Sequence, residues 1–397
     1  MSIDVVRARR SSSPAWRGLD PVGTLLAALA VAALLAEPFV TLRPNRIASG
    51  KGLALWASLP PVGAVAALLA FAVLAVMAAR RGAPLVQIMV GGLGLALLIG
   101  VVGEAPRQLV LPGNAFARVS PAGGFWIALL AFALLATDGA AKLRPGPLAR
   151  LAALTMTLGA GGAVLASGWL DGLSPLHEYA SHANTFWGEL AKHVELSLGS
   201  LMAAVLAGLP LGVACVRVPR LRAAVLPVLN IVQTIPSIAM YGLMMVPLGL
   251  LAAEVPLLAD LGIRGIGTAP AAIALFLYAL LPVVASTATG LDQVPAAARD
   301  AARGMGMTSG QRLRSVELPL ATPAILTGIR VVLVQNIGLV TVAALIGGGG
   351  LGTFVFQGIG QSATDLVLLG AIPIIVLAFT AAVLLDATVD LTRKAAP

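Results

Sequence analysis

Apolar residues in this chain run in long blocks, and short stretches between them hold most of the charge. A helix crosses the ~30 Å hydrocarbon core of a bilayer with about 20 apolar residues. Ten blocks reach that length: near 22–41, 59–79, 84–103, 120–137 and 151–170, then 194–216, 223–250, 267–290, 322–346 and 366–385. The 223–250 block is long and broken by Pro227, Pro236 and Pro247. It reads as a kinked span, or as a span with a short re-entrant piece. The expected fold is an all-α integral membrane protein of about ten transmembrane helices.

Composition narrows the class. Of the 397 residues 58% are hydrophobic and 11% charged, against ~45–50% and ~25% in soluble domains. That excludes a soluble enzyme and, equally, a disordered chain. Ala, Leu, Val and Gly outnumber the aromatics, which suits spans packed through small residues. The single cysteine, Cys215, excludes an intrachain disulfide and reads as inert core. Three histidines leave little room for metal or acid–base chemistry.

Net charge is +9, but the basic residues are scattered between apolar runs, so nucleic acid is not implied. Arg7, Arg9, Arg10 and Arg17 precede the first block and imitate a signal peptide. The block has the length of a span and more spans follow, so it is expected to be retained. With the N-terminus inside, eighteen Lys and Arg fall on the inner side, among them Arg393 and Lys394 near the end of the chain. Seven fall outside (Arg43, Arg46, Lys51, Arg107, Arg118, Lys192, Arg264), and Arg330 lies within a span. That bias puts both termini in the cytoplasm, which requires an even number of spans.

The chain divides into residues 1–170, five spans on short connections, and 171–397, five spans with longer loops. A polar stretch, Asp171 to Lys192, stands between them, outside. The most patterned loop is cytoplasmic, 291–321. Asp292 or Gln293 can cap a helix with Pro295 in its first turn. Gly304 and Gly306 can end it. Thr308 or Ser309 can cap a second helix running to Glu317, and Pro319 and Pro323 bracket the next span. A helix–turn–helix on that face is a means of receiving a push from a soluble partner.

Asp300-Ala301-Ala302, then Gly306, Val316 and Leu318-Pro319 resemble, at every spacing, the EAA loop of ABC importer permeases. Asp300 stands for Glu and Val316 for Ile. Gln233-Thr234-Ile235-Pro236-Ser237 and Tyr278-Ala279-Leu280-Leu281-Pro282 are similar to segments of glycine betaine, choline and other osmoprotectant permeases. So is the run Leu345 to Gly352. The likeness covers roughly 190–390, while 1–170 resembles the extra spans of the longer YehY-like permeases. The resemblance implies a type I ABC importer permease fold for the second half, with 1–170 accessory. It implies an inner-membrane permease that passes a small quaternary-ammonium solute. Its partners would be cytoplasmic ATPase subunits, an extracytoplasmic solute-binding protein, a second permease copy or homologue, and membrane lipid. ATP and Mg²⁺ would sit on the ATPase, with no cofactor on this chain. No GxxxxGK[ST] loop occurs, and Ser49-Gly50-Lys51-Gly52 is only a fragment of one. The permease is therefore expected not to be an enzyme. The alternative, an ion-coupled secondary transporter, needs intramembrane carboxylates or histidines, and the spans hold almost none.

Polar residues inside spans are functional candidates. Asn230, Gln233, Thr234, Pro236 and Ser237 lie in the proline-broken block, where unwound backbone is tolerated only if protein buries it or water lines it. They are candidates for the translocation pathway, or for a locally bonded kink. Arg330 is expected to snorkel, and Glu195, Asp386 and Asp390 to sit in the interface. The glycines 347–352 read as close backbone packing or as a flexible hairpin. His177, Glu178 and His182 have metal-like spacing but read as solvated surface or a docking face. Trp56, Trp169 and Trp187 sit at span ends as interfacial anchors, and Ala203/Ala207 with Gly208/Gly212 suit close helix packing.

Overall fold

The computed structural model describes residues 18–395 apart from 47, 115 and 261. Arg7, Arg9, Arg10 and Arg17 lie outside the described residues. The helices are α1 (Pro21–Ala36), α2 (Pro61–Ala79), α3 (Pro84–Leu109), α4 (Gly123–Leu143) and α5 (Pro147–Ala166). Next come α6 (Ser174–Arg217), α7 (Pro219–Thr234), α8 (Ser237–Glu254), α9 (Pro256–Asp260) and α10 (Thr268–Asp292). The last are α11 (Ala296–Gly304), α12 (Ser309–Arg312), α13 (Leu318–Ala343), α14 (Gly352–Gly360) and α15 (Thr364–Ala395). Among the described residues nine helical segments are long and apolar enough to cross a membrane, and α1 is a shorter apolar helix. Prolines open α1, α2, α3, α5, α7 and α9, because the first turn needs no amide donor from them.

Two compact units emerge. One runs to Pro145 and takes in Leu165–Ser174; the other comprises Gly146–Val164 and the chain from Pro175. A division at residue 170 places α5 with the first four helices, whereas its packing places it with the second unit. Within that unit an ion pair, Arg150 Nη1 to Asp390 Oδ2 at 3.0 Å, ties α5 to α15. Asp390 is thus paired.

In the first unit α3 and α4 approach through glycine. A Cβ on Gly91 would fall 2.7 Å from the Phe132 carbonyl, and one on Gly94 would fall 2.3 Å from the Phe132 ring. Asp20 caps α1, accepting from Val22 N–H at 3.2 Å. Lys142 Nζ reaches Asp20 at 2.7 Å and Asp138 at 2.6 Å, and donates to Gln87 at 3.1 Å. The hydrogen bond from Lys142 holds the Asp20 carboxyl below its ordinary range. The unit also carries strands that the block pattern does not predict. They are β1 (Val40–Arg43), β2 (Lys51–Leu53) and β3 (Arg118–Pro121), antiparallel in the order β2-β1-β3 with Val40 opposite Leu53 and Pro121. Strands of three or four residues are too short to show a period. Lys51 and Gly52 lie on an edge strand, so the Ser49–Gly52 fragment opens no helix.

In the second unit α10 is the most enclosed span, with 61% of its apolar window buried against 6% for α5. Gly208 and Gly212 let α6 close on α10: added Cβ atoms would lie 2.8 Å from Val283 and 2.6 Å from Thr287. The small-residue stripe is Ala204, Gly208 and Gly212; Ala203 and Ala207 are exposed. Of the polar stretch Asp171 to Lys192, the part from Ser174 onward is helical and continuous with the sixth span. Its apolar side packs in an aromatic cluster, Phe186 against Tyr179 at 5.2 Å and Phe354 at 6.0 Å, which supports a helix that bilayer-scale hydropathy does not register.

Candidate functional site

The 291–321 loop is a helix–turn–helix. Helix α10 runs on to Asp292, so the cap expected at Asp292 or Gln293 is not used; Pro295 is the N-cap of α11, without a side-chain bond. Asp292 instead pairs with Arg222 at 2.8 Å. Helix α11 ends at Gly304, and Gly306 has φ +77°. Met307 N–H bonds the Ala302 carbonyl at 3.1 Å and Gly306 N–H that of Arg303 at 2.9 Å, the two bonds of a left-handed helix stop. A capping box opens α12: Gln311 N–H donates to Thr308 Oγ1 at 3.3 Å, and Thr308 N–H to Gln311 Oε1 at 2.8 Å. A π-helical turn, Leu313–Glu317, then leads without a break into α13 at Leu318 and Pro319.

Within this element Asp300 and Ala301 are exposed, and Asp300 pairs with Arg303 at 3.1 Å. Ala302 is 1% exposed, so it faces its own chain rather than outward with its two neighbours. Val316 and Leu318 are half-buried, and Leu313 and Leu318 pack on Leu291, Val294, Ala321 and Ile325.

The 223–250 block is two helices, broken at Ile235 and Pro236, where the backbone is extended. Gln233 Nε2 donates to the Tyr278 carbonyl at 2.7 Å, and the Tyr278 hydroxyl donates to the Ile235 carbonyl at 2.5 Å. The two family-like segments are thus bonded to each other, and Gln233 secures the break. Asn230, Thr234 and Pro236 are exposed, Ser237 is half-buried, and Thr234 Oγ1 bonds back to the Ile231 carbonyl at 2.7 Å.

The glycine run is close backbone packing. Gly347, Gly349 and Gly350 have positive φ, and a Cβ on Gly352 would fall 2.0 Å from the Thr341 carbonyl. Among the described residues no His/Cys/Asp/Glu group is arranged to hold a metal. Glu178 is 4% exposed rather than solvated, and the His182 ring lies edge-on to Phe354 at 5.7 Å. Arg330 does not simply snorkel: it pairs with Asp386. Glu195 pairs with Lys192 at 3.1 Å on an exposed face.

Sequence reasoning missed Glu317, Glu189 and His193, and noted Asn336 only as a polar residue of the ninth span. Glu317 is 7% exposed and accepts from Arg217 Nη2 at 2.7 Å and Arg312 Nε at 2.9 Å. Glu189 accepts from Gly350 N–H at 2.6 Å. His193 and Asn336 are fully buried between α6 and α13. Polarity inside or next to a span was the available signal, but the partners, Arg312 excepted, lie 100 or more residues away.

Comparison with known proteins identifies the family. Residues 20–176 match the N-terminal domain of "ABC transporter permease YehY", and 201–394 match "Binding-protein-dependent transport system inner membrane component". The osmoprotectant import permease protein OsmW of Salmonella typhimurium is 41% identical over 206 residues, 52% of this chain and 91% of that protein. The choline transport system permease protein OpuBB of Bacillus subtilis is 36% identical over 207 residues, 51% and 88% respectively. Among solved structures, the inward-facing MetNI methionine ABC transporter is similar at 21% identity and TM-score 0.46, covering 52% of this chain and 95% of that one. The chain belongs to the family of binding-protein-dependent transport system inner membrane components, the permeases of ABC importers. It is a multi-pass membrane protein, and the ion-coupled alternative finds no support among these relatives.

Proposed function

We propose that this permease passes a small quaternary-ammonium compatible solute, such as glycine betaine, choline or carnitine, across the inner membrane. The observation that carries the proposal is the 41% identity to an osmoprotectant import permease across 91% of its length. A solute-binding protein delivers the ligand on the outer side, and an aromatic cage for the cation belongs to that protein. Two permease copies, or one with a homologue, form the pore. ATP and Mg²⁺ are held by ATPase subunits on the cytoplasmic side, where both termini of this chain lie. The first four helices form an accessory bundle.

Energy enters through 291–321. Asp300 and Ala301 meet the ATPase from the exposed side of α11. Gly306 sets the angle between α11 and α12, Ala302 seats α11 on its own chain, and Val316, Leu318 and Pro319 join the loop to α13. A tilt at the loop thereby becomes a tilt of a span. Asn230, Thr234, Pro236 and Ser237 border the pathway at the break between α7 and α8, and Gln233 holds that break in shape.

Reconstitution with the ATPase and binding protein tests this. ATP-dependent uptake of labelled glycine betaine or choline is expected. Asp300→Lys is expected to reach the membrane at normal levels, co-purify less ATPase and lose uptake. Normal uptake and full ATPase retention in that variant would refute the coupling role; uptake of neither solute would refute the substrate class.

A further inference from the structure

At ~1.5 Å per residue the 44 residues of α6 span about 66 Å, roughly twice the hydrocarbon core. The surplus lies on its N-terminal side, 174–193, so α6 projects well beyond the bilayer. Pro210 lies within it, yet the helix continues. A rod transmits displacement only if it is fastened at both ends. Near the projecting end Glu189 Oε2 accepts Gly350 N–H at 2.6 Å and the Thr353 hydroxyl at 3.4 Å. One turn further, His193 Nε2 donates to the Ile337 carbonyl at 3.0 Å. Two turns beyond that, Asn336 Nδ2 donates to Ser200 Oγ at 3.0 Å. At the far end Arg217 reaches the buried Glu317 carboxylate, which Arg312 grips from the other side.

Four fastenings at four heights therefore tie α6 to α13 and the loops at either end of it. Apolar packing alone lets helices slide and rotate. The two inner hydrogen bonds are buried, in a low-dielectric surround with no water to exchange with, and the two terminal ones are half-buried and charge-assisted. The glycine loop has no slack of its own, since Gly348 and Gly352 lie against the backbone of α13. A shift of the outer part of α6 is thus carried as a unit toward Glu317, inside the ATPase-facing loop.

The geometry points to α6 as the strut that carries docking of the solute-binding protein to the ATPase-facing loop, with Glu189 and Arg217 as positioning residues at its two ends. This rests on the permease reading above. Neither residue is among those proposed above to border the pathway or to meet the ATPase. Their loss therefore separates stimulated from basal ATP hydrolysis and leaves the machinery itself intact. Arg217→Met leaves Glu317 its Arg312 partner, so the fold is retained.

The test uses the whole transporter in lipid nanodiscs, with hydrolysis measured with and without binding protein saturated with glycine betaine. In Glu189→Ala and in Arg217→Met, basal hydrolysis and ATPase co-purification are expected to stay at wild-type levels, while the stimulated increment falls about tenfold. The double variant is expected to be no worse than either single, because two pins of one strut act in series. Arg217→Lys and Glu189→Gln are expected to restore part of the stimulation. Unchanged stimulation, additive losses, or a fall of basal and stimulated rates together with thermal stability would overturn the strut. A wild-type complex that holds no ATPase would overturn the permease reading instead.

Discussion

Gly306 isolates a single backbone requirement. A Cβ there would meet nothing within 4 Å, yet φ is +77°. Gly306→Val therefore carries no clash, only the strain of a β-branched residue in the left-handed region, roughly 1–3 kcal/mol. Asn tolerates that region far better. Gly306→Val is expected to insert at wild-type levels and lose uptake, whereas Gly306→Asn keeps most of it. Quantitative blotting of membranes alongside solute uptake checks both, and equal uptake in the two variants would show that the turn is dispensable. Asp300 behaves differently. Its pairing with Arg303 is two-thirds exposed, and such pairs contribute little to stability, so its substitution is expected to leave the fold unchanged and serves to test the proposed docking.

At the scale of elements, the joint between α7 and α8 hangs on the two bonds to Tyr278. Tyr278→Phe removes the donor to the Ile235 carbonyl, next to a proline that supplies no amide of its own, and leaves the Gln233 bond in place. A loss of about 1 kcal/mol is expected, seen as a lower melting temperature of the purified protein with ATPase co-purification intact. No change in melting would show that the carbonyl finds another donor. The start of α1 makes a pH prediction. Because the Asp20 carboxyl is held low by Lys142, its contribution is complete above the ordinary carboxylate value of about 4 and is lost as pH falls through the lowered folded value. The melting advantage of wild type over Asp20→Asn is expected to shrink between about pH 5 and about pH 3. An advantage constant over that window would mean that the cap contributes no pH-dependent stability.

For the whole molecule, orientation follows from basic residues that are few but one-sided. Reporter fusions at Pro145 and Pro397 are expected to be active only as cytoplasmic reporters, and one at Asn184, on the projecting part of α6, only as an exported reporter. An exported reporter active at Pro397 would invert the topology. This orientation requires α1, the shorter apolar helix, to cross the membrane beside the nine long apolar segments.

The sequence by itself determined the class, most of the spans and the turn and cap positions of the 291–321 loop. Crossing a bilayer is a local property: about 20 apolar residues suffice wherever they stand. The turn at Gly306 and the capping box at Thr308 are local too, since each bond closes within five residues. Tertiary structure alone decided which charges meet. Arg330 and Asp386 are 56 positions apart, and Arg217 and Glu317 are 100; each is visible in the sequence as a charge, but no spacing rule names its partner. The same holds for the pairing of α5 with α15 through Arg150 and Asp390, and for the short strands, which form only because the α1–α2 and α3–α4 connections come together. The outer half of α6 was hidden for a related reason. Hydropathy measures affinity for lipid, whereas residues 174–193 are held helical by packing against α14.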